Sequence, residues 1–367
     1  HMKSAKRPAF HGSDLEQIEK YYHIKKEEIT GFGANVNPLG LSSSVKEALA
    51  ENLDVISRYP DRDYASLKAA ITDYCHIPAS FVAVGNGSTE LICLLISQRK
   101  ARHAVVIGPT YSEYQRELEL TGGRITAYDL KEENRFRLDI PDLLGFLPKD
   151  TDLLILCNPN NPTSSAVSQD SLKALIDACR ERDIFVMVDE TYVEFAPDPG
   201  HITAVPLTRD FDNLMVIRGV SKFFAAPGLR LGYGITGNRD FLSSLAIHQN
   251  PWSVSSIAAL AGELMLKDAP YIEKTRRLIG SERDRLTGIL SGFRHARVYT
   301  PYANFILVRI LKEDLSSFQV FEAAIRQGLM IRDCSSFESL EGEYIRFCVM
   351  MPEDNDRLMA CLKDLLA

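Results

Sequence analysis

Four places in the chain pair reactive side chains with small or rigid neighbours able to aim them. In Gly85-Asn86-Gly87-Ser88-Thr89-Glu90, ahead of an apolar helical stretch, small residues let backbone N–H groups converge. Such a helix N-terminus can hold an anion such as phosphate, although a structural turn is the plainer reading. Cys157-Asn158-Pro159-Asn160-Asn161-Pro162-Thr163 is either a rigid turn that points amides outward or a plain surface turn. Asp189, in Asp189-Glu190-Thr191-Tyr192, ends an apolar run, so its carboxylate must meet a cation or hydrogen-bond donors; for an isolated Asp a structural salt bridge is the commoner outcome. Lys222 sits among small and apolar residues between Ser221 and Tyr233. Desolvation would lower its pKa and leave a neutral amine able to attack a carbonyl, whereas a surface lysine merely snorkels.

One chemical object needs all four. An aldehyde-bearing pyridine with a phosphate arm requires an amine for its Schiff base, a carboxylate to keep its ring nitrogen protonated, donors to its phenolate oxygen and an anion cradle. Lys222, Asp189, Asn161 with Tyr192, and Gly87, Ser88 and Thr89 with Ser221 and Arg230 supply these in turn. The cofactor this set points to is pyridoxal 5'-phosphate.

The frame that must position them is legible as pattern. Apolar β-rich runs at 81–84, 104–107, 153–156, 184–188, 214–217 and 231–235 alternate with helix-like segments. This is how parallel strands buried on both faces read, and ligands of such α/β sheets bind beyond the strands' carboxyl ends. Residues 255–292 predict one long amphipathic helix; strands at 304–309 and 343–350 flanking a helix at 317–327 outline a smaller α+β domain. Asp14 is expected to cap an N-terminal helix. The expected division is an N-terminal arm over 1–34 packing with the small domain, a large cofactor-binding domain over 35–260, and a small C-terminal domain over 261–367.

Composition removes other classes. The 367 residues are 45% hydrophobic and 25% charged, as in ordinary globular proteins. Forty-two basic against 49 acidic side chains give a net charge of -7 with no long basic run, which argues against a nucleic-acid partner. Seven scattered cysteines without a C-x-x-C pair speak against a disulfide framework or a cysteine zinc site, so no metal and a reducing compartment are expected. No apolar run approaches the ~18 residues of a membrane span, and the start, with His1 read as a tag remnant, lacks a signal-peptide stretch. A cytoplasmic protein without a membrane partner is the expectation.

The strings CNPNNPT, VDETY and SKFFAAPGLRLGY, in that order and spacing, resemble the fold-type I pyridoxal-phosphate enzymes of the class I/II aminotransferase superfamily. The resemblance covers nearly the whole chain. It implies a large domain with a mostly parallel seven-stranded sheet between helices, a smaller α+β domain, and a homodimer with active sites at the subunit interface. It further implies that Lys222 is the Schiff-base lysine and proton carrier, that Asp189 pairs with the pyridine nitrogen, and that Asn161 and Tyr192 bind the phenolate oxygen. Tyr111, in Gly108-Pro109-Thr110-Tyr111, matches the aromatic stacked on the ring. Arg230 matches a phosphate-binding arginine, Tyr59 in Arg58-Tyr59-Pro60-Asp61 a tyrosine reaching the cofactor phosphate across the dimer, and Arg346 the arginine that grips the substrate carboxylate through a bidentate pair.

Two neighbours within the superfamily compete. Histidinol-phosphate aminotransferases share the Arg-Tyr-Pro and Asn-Pro-Leu-Gly segments and the lysine loop. Threonine-phosphate decarboxylases look closer through His11-Gly12, Gly33-Ala34-Asn35-Val36-Asn37, Asn250-Pro251-Trp252-Ser253-Val254, and Ile331-Arg332-Asp333-Cys334-Ser335 with Phe337. By that resemblance His11, Asn35 and Arg332 hold a substrate phosphate. Three departures stand out: Gly219 replaces a Ser or Thr donor to the cofactor phosphate, a loss that Arg218 or Ser221 is expected to offset; Ser164 replaces a glycine; and Ser255 replaces an asparagine. The leading expectation is a decarboxylase-like enzyme acting on a small O-phospho-amino acid. The alternative is an aminotransferase of a phosphate- or phosphonate-bearing amine with an oxo acid such as 2-oxoglutarate, and a non-catalytic pyridoxal-phosphate-binding protein is the remote third. Geometry selects among them, because the Cα bond that breaks is the one perpendicular to the conjugated ring.

Overall fold

Alternation along the apolar runs gives the main sheet two buried faces. In the computed structural model, which describes residues 10–110 and 113–367, the strands in chain order are β1 (Thr30–Gly31), β2 (Val82–Asn86), β3 (His103–Gly108), β4 (Arg124–Asp129), β5 (Leu153–Cys157), β6 (Phe185–Asp189), β7 (Leu214–Gly219), β8 (Leu231–Ile235), β9 (Ala296–Val298), β10 (Phe305–Ile310), β11 (Leu329–Met330), β12 (Arg332–Asp333) and β13 (Tyr344–Cys348). Seven form one sheet in the order β2-β8-β7-β6-β5-β3-β4, parallel except where β8 runs antiparallel to both neighbours. Val105, Leu154, Val186 and Val216 face one core, which also takes in the helix Gln169–Glu181; Val106, Ile155, Met187 and Met215 face the other, covered by the helices Gly87–Arg99, Glu113–Thr121 and Arg239–His248. Side chains alternating across a parallel sheet require helices on both faces, and the fold supplies them.

The six apolar runs all form strands. β4 escaped the sequence reading because it is the outer edge strand, with Arg124, Ala127 and Asp129 exposed and no apolar run to mark it. The long helix expected over 255–292 is two, Ser256–Leu266 and Ala269–Ser291. The break has a local cause: Asp268 caps the second helix by accepting the Tyr271 N–H, and Pro270 fits only its first turn. Asp14 does precede a helix, Leu15–Tyr22, but its carboxylate takes the His11 N–H at 2.7 Å rather than a helix amide.

A second, antiparallel sheet runs β12-β13-β10-β9; the helix Ser317–Ile325 packs on β12 and β13, Ala269–Ser291 on β9 and β10, and Pro352–Leu366 lies against both helices. The early strand β1 pairs in parallel with β11, and Phe10 stacks on Phe321 at 5.9 Å, so the first described residues lie against the last third of the chain. Among the described residues no helix is long and apolar enough to cross a membrane, and none of the seven cysteines is joined in a disulfide.

Candidate active site

The carboxyl ends of β5, β6 and β7 lie in register, Cys157 opposite Asp189 and Asp189 opposite Ile217, so the loops that follow converge above one edge. Asp189 is 5% exposed. Burial raises its pKa above the usual carboxylate range, against the pull of hydrogen bonds from Thr191 and Tyr114. Thr191 gives its N–H at 3.0 Å and its hydroxyl at 2.5 Å to Oδ1, and the Tyr114 hydroxyl donates to Oδ2. The partners are therefore donors, and no salt bridge to Asp189 occurs among the described residues.

Lys222 follows β7 and is mostly buried. Its Nζ donates to the Ala34 carbonyl at 2.6 Å, and desolvation, with the neighbouring Arg346 guanidinium second, lowers its pKa to about 8. The lysine loop is bolted to the N-terminal segment by Asn37, whose N–H donates to Lys222 O at 3.0 Å and whose amide donates to Phe223 O and Thr275 Oγ1, both at 2.8 Å.

Three consecutive carbonyls, of Gly33, Ala34 and Asn35, accept from Arg346 Nη2 at 2.9 Å, Lys222 Nζ, and Asn304 Nδ2 at 2.8 Å. Asn35 holds a left-handed φ of 60° and donates through Nδ2 to the Tyr192 hydroxyl at 3.3 Å. The Tyr192 phenol is pushed up to about 12 by burial, so it remains a donor at neutral pH. Arg346 donates through Nη1 to Asn161 Oδ1, which joins Asn161, Tyr192, Asn35 and Arg346 into one buried cluster beside Lys222. Asn35 Oδ1 and Arg346 Nε are buried there without partners among the described residues, which marks room for a polar ligand.

Arg332 on β12 lies directly opposite Arg346 on β13. Its guanidinium donates to the Phe10 carbonyl and, at 2.9 Å, to Ser336, and lies 5.6 Å from the Phe337 ring. Burial and then the charge of Arg346 lower its pKa. Two like charges directly opposite on paired strands repel each other and favour an anion between them. His11 is exposed, one residue beyond the Phe10 carbonyl that Arg332 meets.

At the opposite side of the lysine, Gly87 opens the helix Gly87–Arg99 at φ +74°, and a Cβ there would lie 2.6 Å from Arg230 Nη2. A Cβ on Gly232 would stand 2.4 Å from the Ser88 nitrogen. Only glycines allow Arg230, β8 and the helix start to meet, and the amides of Ser88 and Thr89 at that N-terminus with the Arg230 guanidinium suit a phosphate. Gly219 faces this cradle, its virtual Cβ 3.7 Å from that of Ser88, which explains why a hydroxyl residue there would serve as a donor. Arg218 does not replace it: the side chain is buried the other way on Glu190 Oε1 at 3.0 Å and Thr203 Oγ1 at 2.9 Å. Ser221 is half-buried beside Lys222.

The other departures have structural roles. Ser164 takes a left-handed φ of 60° where glycine would be unstrained, and its hydroxyl accepts the Ala303 N–H at 3.0 Å. Ser255 caps the helix Ser256–Leu266 through the Ala258 N–H. Tyr59 is 80% exposed against Trp252, 4.7 Å between ring centres. Tyr111 lies outside the described residues. The sequence reading missed Tyr114, Asn304 and the Ala34 carbonyl. Tyr114 alone carried a signal, an aromatic three residues beyond Tyr111 at the start of a helix that follows a strand's carboxyl end.

Comparison with known proteins identifies the family. The family described as "Aminotransferase class I and II" matches residues 27–362. The chain is 35% identical to the threonine-phosphate decarboxylase of Salmonella typhimurium over 97% of its own length and 96% of the relative's. The histidinol-phosphate aminotransferase of Clostridium acetobutylicum superposes with a TM-score of 0.85 at 30% identity, covering 91% of this chain and 98% of the other. The Sinorhizobium meliloti histidinol-phosphate aminotransferase, solved in complex with pyridoxal-5'-phosphate, shares the fold with a TM-score of 0.83 at 21% identity, covering 100% and 99%. With an amine, a buried carboxylate and an anion cradle around one sheet edge, the chain belongs to the class I and II aminotransferases, a family of pyridoxal-phosphate enzymes.

Proposed function

We propose that this enzyme decarboxylates a small O-phospho-amino acid of the threonine-phosphate kind. The observation that carries the reading is the facing pair Arg332 and Arg346, in register on paired strands with Arg346 beside Lys222, one meeting the arm at Phe10 and the other at Gly33. A substrate with both a carboxylate and a phosphate matches two such cations, and the 35% identity to a threonine-phosphate decarboxylase over almost the whole chain supports it.

The residues divide the work as follows. Gly87, Ser88 and Thr89, with Ser221 and Arg230, would hold the cofactor phosphate; Asp189 would accept the ring N–H; Asn161 and Tyr192 would donate toward the phenolate oxygen, and Tyr111 would cover the ring. When bound, pyridoxal phosphate supplies an electron sink for the bond that breaks at the substrate's Cα. Lys222, neutral in a large share at pH near 8, moves a proton to or from that carbon. Arg332, Asn35 and His11 would take the substrate phosphate and Arg346 the carboxylate, and this grip orients the Cα substituents. The polypeptide would divide into an arm over 1–34, a large domain over 35–260 and a small domain over 261–367. It would work in the cytoplasm as a homodimer, with Tyr59 reaching the partner's cofactor phosphate.

The similarity to a histidinol-phosphate aminotransferase at a TM-score of 0.85 favours a second reading, amino transfer from a phosphate-bearing amine to an oxo acid. A panel of O-phospho-threonine, O-phospho-serine, histidinol phosphate and 2-aminoethylphosphonate separates them. Carbon dioxide release without an oxo acid is expected; amino transfer that depends on 2-oxoglutarate, with no carbon dioxide, would replace the first reading by the second.

A further inference from the structure

The side chain of Asp189 leaves β6 on the face that also carries Phe185 and Met187, the face covered by the helix Glu113–Thr121. Tyr114, in the first turn of that helix, is 1% exposed and aims its hydroxyl at Asp189 Oδ2. Oδ1 is occupied by the amide and hydroxyl of Thr191. A carboxylate offers about four acceptor positions. The three donors found among the described residues leave one for a further N–H.

We propose that Tyr114 is a positioning residue: its phenol hydrogen bond keeps the buried Asp189 ionised and fixes the orientation in which its remaining acceptor position can meet a ring N–H. This rests on the cofactor reading above. A neutral carboxylic acid at this place would present a proton of its own and could not hold one on a pyridine nitrogen, so the charge state of Asp189 decides whether the cofactor can act as an electron sink.

The surroundings leave this task to Tyr114 and Thr191. Cys157, opposite Asp189 on β5, donates its thiol to the Pro159 carbonyl at 3.1 Å and also lies within hydrogen-bonding reach of the Tyr114 hydroxyl, and burial pushes that thiol well above its ordinary range. Glu190 is turned away onto Arg218, Thr203 and the Ala204 N–H. The Tyr192 hydroxyl accepts from Asn35 Nδ2 at 3.3 Å and makes no hydrogen bond to Asp189 among the described residues. Tyr114 itself is held well above the ordinary phenol range by burial and by the Asp189 charge, so it stays a donor at every working pH.

The test is an infrared titration of cofactor-free protein, comparing wild type with Tyr114→Phe and using Asp189→Asn to assign the carboxyl band. Loss of one hydrogen bond to a charged group should move the pH at which Asp189 loses its proton upward by ~1–2 pH units. A fluorinated tyrosine at 114, a stronger donor of nearly the same shape, should move it downward. In the cofactor-loaded protein, Tyr114→Phe should still give a borohydride-trapped adduct at Lys222, with kcat down ~10-fold or more and KM changed less than ~2-fold. An unchanged infrared titration in both variants would overturn the proposal and leave Tyr114 as packing alone. Absence of a trapped adduct in wild type would instead overturn the cofactor reading, and the infrared result would still decide how Asp189 is held.

Discussion

Replacing Lys222 by methionine tests the amine in two independent ways. The variant should give no borohydride-trapped adduct and lose turnover by more than ~10⁴-fold, the upper range for a positioned proton carrier. The second test is thermodynamic. Because the folded protein holds the Lys222 pKa at about 8 against an ordinary 10.5, the protonated amine is penalised in the fold. That penalty is full below pH 8, shrinks as pH rises through the window to 10.5 and is absent above it. Cofactor-free Lys222→Met should thus be more stable than wild type at pH 7 by ~2 kcal/mol, allowing for the lost bond to Ala34, and the gain should fade towards pH 10.5. Urea titrations at the two pH values measure it, and equal gains at both would contradict the buried-amine assignment. For Arg332→Ala, KM for O-phospho-threonine should rise ~10–100-fold while KM for threonine itself barely moves, because only the phosphate-bearing substrate loses a charge-assisted partner. At this scale the sequence exposed reactive side chains but not their partners: Lys222 and Asp189 were visible as polar breaks in apolar surroundings, whereas a backbone carbonyl at Ala34 leaves no mark in residue identity.

Elements aim these residues through close backbone contact, and Gly232 is where that contact can be broken. A methyl group there would overlap the Ser88 amide and the Gly87 carbonyl carbon, both backbone atoms that cannot rotate away. Gly232→Ala should cost ~1–3 kcal/mol in the cofactor-free protein and weaken cofactor affinity at least ~10-fold by pushing the helix start off β8. Thermal melting and a fluorescence titration with pyridoxal phosphate read the two effects, and a destabilised variant with unaltered affinity would remove the helix start from the phosphate cradle. The five central strands and the largely buried edge strand β2 could be read from sequence because burial demands continuous apolar runs. Edge strand β4 could not, since half of it faces solvent, and the two-helix break at Asp268 was hidden because the amphipathic pattern continues on both sides of it. The small strands β1, β11 and β12 are two residues each, too short for any period.

For the whole molecule, the exposed group of Tyr59, Ile56 and Leu53, with exposures of 80%, 64% and 53%, is the surface expected to meet the second subunit. Sedimentation should give twice the chain mass, and Tyr59→Asp should shift it towards monomer and release cofactor. A wild-type monomer that binds cofactor with full affinity would refute a shared site. The candidate site also draws on segments far apart along the chain: the carbonyls of Gly33 and Ala34 meet Arg346 and Lys222, and β1 finds its only strand partner among the described residues in β11. Roughly 300 residues separate β1 from β11. On a ribosome adding ~5–20 residues per second, the arm must therefore wait ~15–60 seconds before its docking place has been made. Nascent chains would carry Lys222 through only the last ~5–20 seconds of that interval with the arm undocked, and a stop codon before β11 would leave β1 with no strand to pair with.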